Sequence, residues 1–233
     1  MMQTMSDLIF LSYEAICSLI GCLIYFAINR KRILGGNSSG KFTLYLAVFV
    51  GYIVLVLHTT GAGTISDSLA YPFTLSNHQI NLIPFISDLI HPLVAPKTVL
   101  DLILLLVNAA IESILNLVLF IPYGVLLYVL WGVHNEKAAA WNGFSFSVLI
   151  ELSQLFNIRV TDIDDLILNT LGTVLGVVLL KRVMERSDFV RQAAALDGSA
   201  LQGKPPMVLV TALFAGRFLL YNEIGLAKAL HFI

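Results

Sequence analysis

Charge is scarce in this chain: Lys, Arg, Asp and Glu together make up 12% of the 233 residues, while 58% are hydrophobic. A soluble domain carries roughly twice that charged share, and the mean hydropathy of +0.85 leaves too few polar side chains to cover a water-facing surface. The composition is that of an integral membrane protein. The formal net charge is -1 and no basic run exceeds Arg30, Lys31 and Arg32, which excludes a nucleic-acid partner gripped through its phosphates. The two cysteines, Cys17 and Cys22, both fall inside the first apolar run. Neither a disulfide framework nor a zinc spacing can be built from them, and they read as packing residues. The HExxH, GxSxG and P-loop patterns are missing, as are internal repeats and low-complexity tracts.

What the chain does have is long apolar runs. A membrane-crossing helix needs about 20 such residues, and six runs qualify as spans: 8–28, 42–58, 113–131, 138–157, 165–181 and the weaker 207–224, which carries Arg217 near its middle. The first run is too long for a signal-peptide core and has its basic residues after it, so it is expected to stay in the mature protein. Between the second and third runs, the apolar stretch 99–110 is too short to cross and holds Asp101 and Asn108. It reads as an interfacial or re-entrant segment. The expected fold is therefore all-α, a polytopic transmembrane helical bundle.

Basic residues orient it. Threading the chain from an outside N-terminus puts ten of them inside (Arg30, Lys31, Arg32, Lys41, Lys137, Lys181, Arg182, Arg186, Arg191, Lys204) against three outside (Lys97, Arg159, Lys228), as the positive-inside rule asks. At about 1.5 Å of rise per residue, Glu151 then lies about 20 Å along the fourth span, in the outer leaflet, with Gln154 on the same face. Asn116 lies close to the outer end of the third span, and Asp164, Asp165 and Asn169 fall in the opening turns of the fifth. A carboxylate in hydrocarbon costs roughly 2.5–3.5 kcal/mol near the centre, so these groups are expected to face the bundle interior or a wet recess. Gly172 and Gly176 form a small-xxx-small pair that lets another helix approach, and Pro122 is expected to kink the third span.

Four motifs, "NLIPF" (81–85), "NLVLFIPYG" (116–124), "ELSQ" (151–154) and "RVTDIDDLILNTLGTVLG" (159–176), in that order and at these spacings, resemble the VanZ-like membrane protein family. The resemblance covers about 80–180. It implies a bacterial cytoplasmic-membrane protein associated with resistance to glycopeptide antibiotics such as teicoplanin. The shared polar residues it carries over are Asn81, Asn116, Glu151, Gln154, Arg159, Asp162, Asp165 and Asn169. On this reading the chain divides into a two-helix segment and the start of an outer loop (1–79), a VanZ-like core (80–182), and a cytoplasmic linker with a last hydrophobic helix (183–233).

Several functions fit this arrangement. An outward-facing site for membrane lipids, a lipid-linked envelope precursor or a lipoglycopeptide would use Asn81, Asn116, Glu151, Gln154, Arg159 and Asn169, with Arg159 available to an anionic group. An enzyme acting on a lipid-linked phosphate would need a divalent cation, Mg²⁺ or Mn²⁺, on Asp162, Asp164 and Asp165. A transporter would use Glu151 as a proton carrier, although such sites usually sit at the membrane midplane. A purely structural cluster would pair Glu151 with Arg159 and Asn116 with Gln154, leaving an Asp to cap the fifth span. His58, His78 and His91 read as interfacial side chains. The topology is open to a direct check: in a cysteine-free background, Ser38→Cys and Ser187→Cys should resist a membrane-impermeant thiol reagent in intact cells while Ser76→Cys reacts. The reverse pattern would invert the orientation.

Overall fold

The computed structural model describes residues 2–33, 40–70, 80–81, 98–157, 161–196 and 201–230. Among them the chain forms helices α1 (Met2–Ile33), α2 (Gly40–Thr59), α3 (Ile65–Ala70), α4 (Val99–Trp131), α5 (Glu136–Gln154), α6 (Ile163–Arg186), α7 (Asp188–Ala194), α8 (Pro206–Leu220) and α9 (Glu223–Ala229). Two short strands, β1 (Ile80–Asn81) and β2 (Thr161–Asp162), pair in parallel, Ile80 opposite Thr161 and Asn81 opposite Asp162. The architecture is all-α.

Four helices are long and apolar enough to cross a membrane, and α8 with α9, bent by 46° between them, makes a fifth candidate. Helix α5 falls below that hydropathy because it is built inside out. Its buried face carries Asn142, Ser147, Glu151, Ser153 and Gln154, while Trp141 (67% exposed), Phe144 and Leu152 face outward. In water that helix would be turned round; in lipid the apolar face is the one to expose. It runs antiparallel to α6, since Gly143 lies against Thr173 whereas Ser147 bonds near the start of α6, at Asp165 and Asn169. Helices α4 and α6 run parallel, with Asn116 beside Asp165 and Gly124 beside Thr173. One end of the bundle is therefore acidic, with Glu151, Asp162, Asp164 and Asp165 beside the amides of Asn116 and Gln154, and the opposite end is basic, with Lys181, Arg182 and Arg186 closing α6.

Helix α4 departs from the expected pattern. The stretch 99–110 is its opening third rather than a separate segment. Thr98 starts it with a capping box, its hydroxyl accepting from the Asp101 N–H while the Asp101 carboxylate accepts from the Thr98 N–H. No Gly or Pro then interrupts the helix before Pro122, and it continues through that residue to a left-handed Gly132. At 33 residues it is about 50 Å long, longer than a hydrocarbon core of about 30 Å.

Close backbone contact holds α4 to α6. A Cβ at Gly172 would overlap the Leu117 carbonyl, one at Gly176 the Ile121 carbonyl, and one at Gly124 the Thr173 carbonyl. Around that seam Phe49, Phe120, Tyr123, Leu127, Phe146 and Ile150 are sealed from the surroundings. Gly176→Val should lower stability by about 1–3 kcal/mol through forced separation of the helices, read as a fall in melting temperature in detergent. Gly51→Ala, where a Cβ meets nothing within 4 Å, should leave it level or raise it slightly.

Candidate functional site

At the acidic end lies a cavity of about 690 Å³. Thr59 and Thr60 of the α2 end form one wall, and Gln154 closes it from α5. Asp162 and Asp165 enter from the start of α6, and Glu112, Leu115, Asn116 and Leu119 line it from α4. Asp162 caps α6, its Oδ1 accepting from the Asp164 N–H at 2.9 Å, so the chain that starts this helix also aims carboxylates at the cavity, where the helix dipole favours them. Asn116 donates to Asp165 Oδ1. Glu151, 3% exposed, accepts the Asp162 N–H on Oε2 at 3.0 Å, and Oε1 has no partner among the described residues. Gln154, equally buried, donates to the Thr60 carbonyl at 2.9 Å, and its Oε1 likewise has no partner among the described residues. Behind them Asn169 donates to Ser147 Oγ at 2.9 Å.

The structure thus brings Asn116, Glu151, Gln154, Asp162, Asp165 and Asn169 into one neighbourhood. The backbone of Asn81 joins it through the pairing with Asp162, whereas the Asn81 side chain and the whole of Arg159 lie outside the described residues, as do His78 and His91. Of the expected pairings, an Asp does cap the fifth span, Asn116 meets Asp165 and not Gln154, and that of Glu151 with Arg159 lies outside the described residues. Of the residues considered for a metal, Asp162 holds the helix cap and Asp165 receives Asn116. Among the described residues no group of three His, Cys, Asp or Glu side chains is arranged to hold an ion.

A family model described as VanZ/LLP1 matches residues 42–184. The chain belongs to the VanZ/LLP1 family. No curated protein and no solved structure matches it. The VanZ/LLP1 match begins two residues into α2 and ends near the close of α6, so it takes in every element that lines the cavity, including α2, which the motifs alone left out. Helices α1 and α8 lie outside the match.

Those outer helices contain the residues that sequence reasoning missed. Glu14 of α1 is 1% exposed; it accepts from Arg217 Nε of α8 and from His58 Nδ1 of α2, the latter at 2.7 Å. Arg217 also donates through Nη1 to the carbonyls of Ala62 and Gly63, and its guanidinium stands over the Tyr221 ring, 5.4 Å from the centroid. His58, expected to be an interfacial side chain, is a hydrogen-bond partner of Glu14. The available signal was a lone carboxylate in the first span matched by a lone base in the last, since opposite charges in apolar runs are stable chiefly when paired. Glu14→Gln or Arg217→Met alone should cost about 3–5 kcal/mol, because the remaining charge stays buried and unpaired, and the double variant should recover much of the loss. Melting curves of the four proteins in one detergent measure the cycle; strict additivity would mean the pair contributes nothing.

Proposed function

We propose that this VanZ/LLP1-family protein holds the head group of an envelope lipid, or of a lipid-linked envelope precursor, in the acidic-end cavity while the ligand's hydrocarbon lies along α4. The observation that carries the reading is the two-faced wall. Carboxylates and amides line the cavity beside Leu115 and Leu119, and from Leu115 (59% exposed) the apolar surface continues along α4 through Ile111, Ile114 and Val118. An amphiphile uses both faces, whereas a lone ion needs far less room and a small soluble metabolite needs no lateral apolar wall.

The binding groups are Asn116, Gln154 and Asp165 in the lining, with Glu151 and Asn169 behind them. The excess of basic residues at the opposite end supports an outward-facing cavity, in the leaflet where antibiotics that bind envelope precursors act. Family membership supports a contribution to resistance against such antibiotics, lipoglycopeptides among them. In a host whose susceptibility to a lipoglycopeptide or cationic peptide depends on this protein, Asp165→Asn should abolish protection. Its melting temperature should stay within about 4 °C of wild type, a change of roughly 1 kcal/mol, because asparagine still accepts from Asn116. Full protection by that variant at equal expression would refute the reading.

A further inference from the structure

We infer that the head group received by this cavity is a hydrogen-bond-donating cation, a primary ammonium, and not a phosphate or carboxylate; the inference rests on the binding reading above and narrows it. It follows from which atoms of the polar network are left over. The amide of Gln154 faces the Thr60 carbonyl, which only accepts, so nitrogen must point there and the unpaired atom is Oε1. The single proton of Ser147 goes to the Asp165 carbonyl at 3.3 Å. Ser147 can then only accept from Asn169, which fixes the Asn169 amide with nitrogen toward the serine and Oδ1 unpaired. Glu151 receives a backbone N–H on one oxygen and leaves the other unpaired.

Each of these three side chains is at least 97% buried, where an unpaired acceptor is costly. Gln154 itself lines the cavity. Each amide of the network uses an N–H inside the protein, Asn116 on Asp165 and Gln154 on the Thr60 carbonyl, and the hydroxyls of Thr59 and Thr60 donate to carbonyls of α2. What the described lining offers a ligand is the accepting oxygen of Gln154, backed by those of Glu151 and Asn169, together with the carboxylates of Glu112 and Asp165 in the wall.

Chemical class follows from that inventory. A phosphate or carboxylate head would place like charge against the wall and give the open acceptors nothing. A hydroxylated neutral head would donate but bring no charge to set against Glu112 and Asp165. A quaternary ammonium would match the charge but has no N–H. A primary ammonium does both, with three donors on one centre.

The test uses the full chain purified in detergent and probed with phosphatidylethanolamine, phosphatidylcholine and phosphatidylglycerol of identical acyl chains, and separately with free ethanolamine, by native mass spectrometry. Phosphatidylethanolamine should bind saturably and about tenfold tighter than either other lipid, the difference expected of one charge-assisted hydrogen bond. Asp165→Asn should remove that preference. Glu112→Gln, at an exposed position, should reduce it about threefold, as for a solvent-screened charge.

Equal binding of phosphatidylcholine would overturn the requirement for donation. Equal or tighter binding of phosphatidylglycerol would overturn the ammonium and leave the lipid-binding reading standing. Saturable binding of ethanolamine without the lipid would support the ammonium and overturn its lipid source. Absence of saturable binding by every probe would overturn both.

Discussion

Four consecutive carbonyls, those of Thr60, Gly61, Ala62 and Gly63, follow the end of α2, and each must find a donor from elsewhere in the fold. Their partners are side chains of other elements: Gln154 for Thr60, Asn157 for Gly61, and Arg217 for Ala62 and Gly63. Backbone polar groups left unpaired at membrane depth cost several kcal/mol each, so this short loop dictates what the surrounding helices must contain. The end of α5 has to bring amides to it, and α8 has to bring a guanidinium. The N–H of Gly63 donates to Ser153 Oγ at 2.9 Å, and the approach is so close that a Cβ at Gly63 would overlap the Ser153 carbonyl.

The charge of Arg217 follows from the same need. A guanidinium satisfies two carbonyls at once but carries a charge that lipid does not solvate, and Glu14 supplies the counter-charge from α1. A contact between residues 203 positions apart thereby ties the helices outside the VanZ/LLP1 match to a loop inside it. Thr60 lines the cavity, so α1 and α8 are bonded to the same short loop that supplies one of its walls. The other wall is held by the glycine seam of α4 and α6, which sets the distance between Asn116 and Asp165.

The polar residues of the cavity were legible because burial in hydrocarbon makes polarity informative. Glu151 and Gln154 in one apolar run, Asn116 in another and Asp165 at the start of a third imply a shared interior level from helical rise alone. Partners were not legible in the same way. Asn116 was expected to meet Gln154, and the parallel packing of α4 on α6 brings it to Asp165 instead. The start of α4 was misplaced for a related reason: hydropathy marks where a helix meets lipid, whereas the Thr98 and Asp101 cap that begins it is a local hydrogen-bond device that an apolar window does not weigh.

By itself the sequence determined the class of the protein, its number of apolar helices to within one or two, the basic end, the acidic end and the family, because each depends on composition, length and local motif. Tertiary structure alone decided that α5 turns its polar face inward, that the carbonyls after α2 are received by α5 and α8, that Glu14 answers Arg217, and which oxygens of the cavity remain open. Those are relations between segments far apart in the chain. They are set by which helix backbones can approach, and hydrogen-bonding capacity is used up pair by pair only after that approach is made.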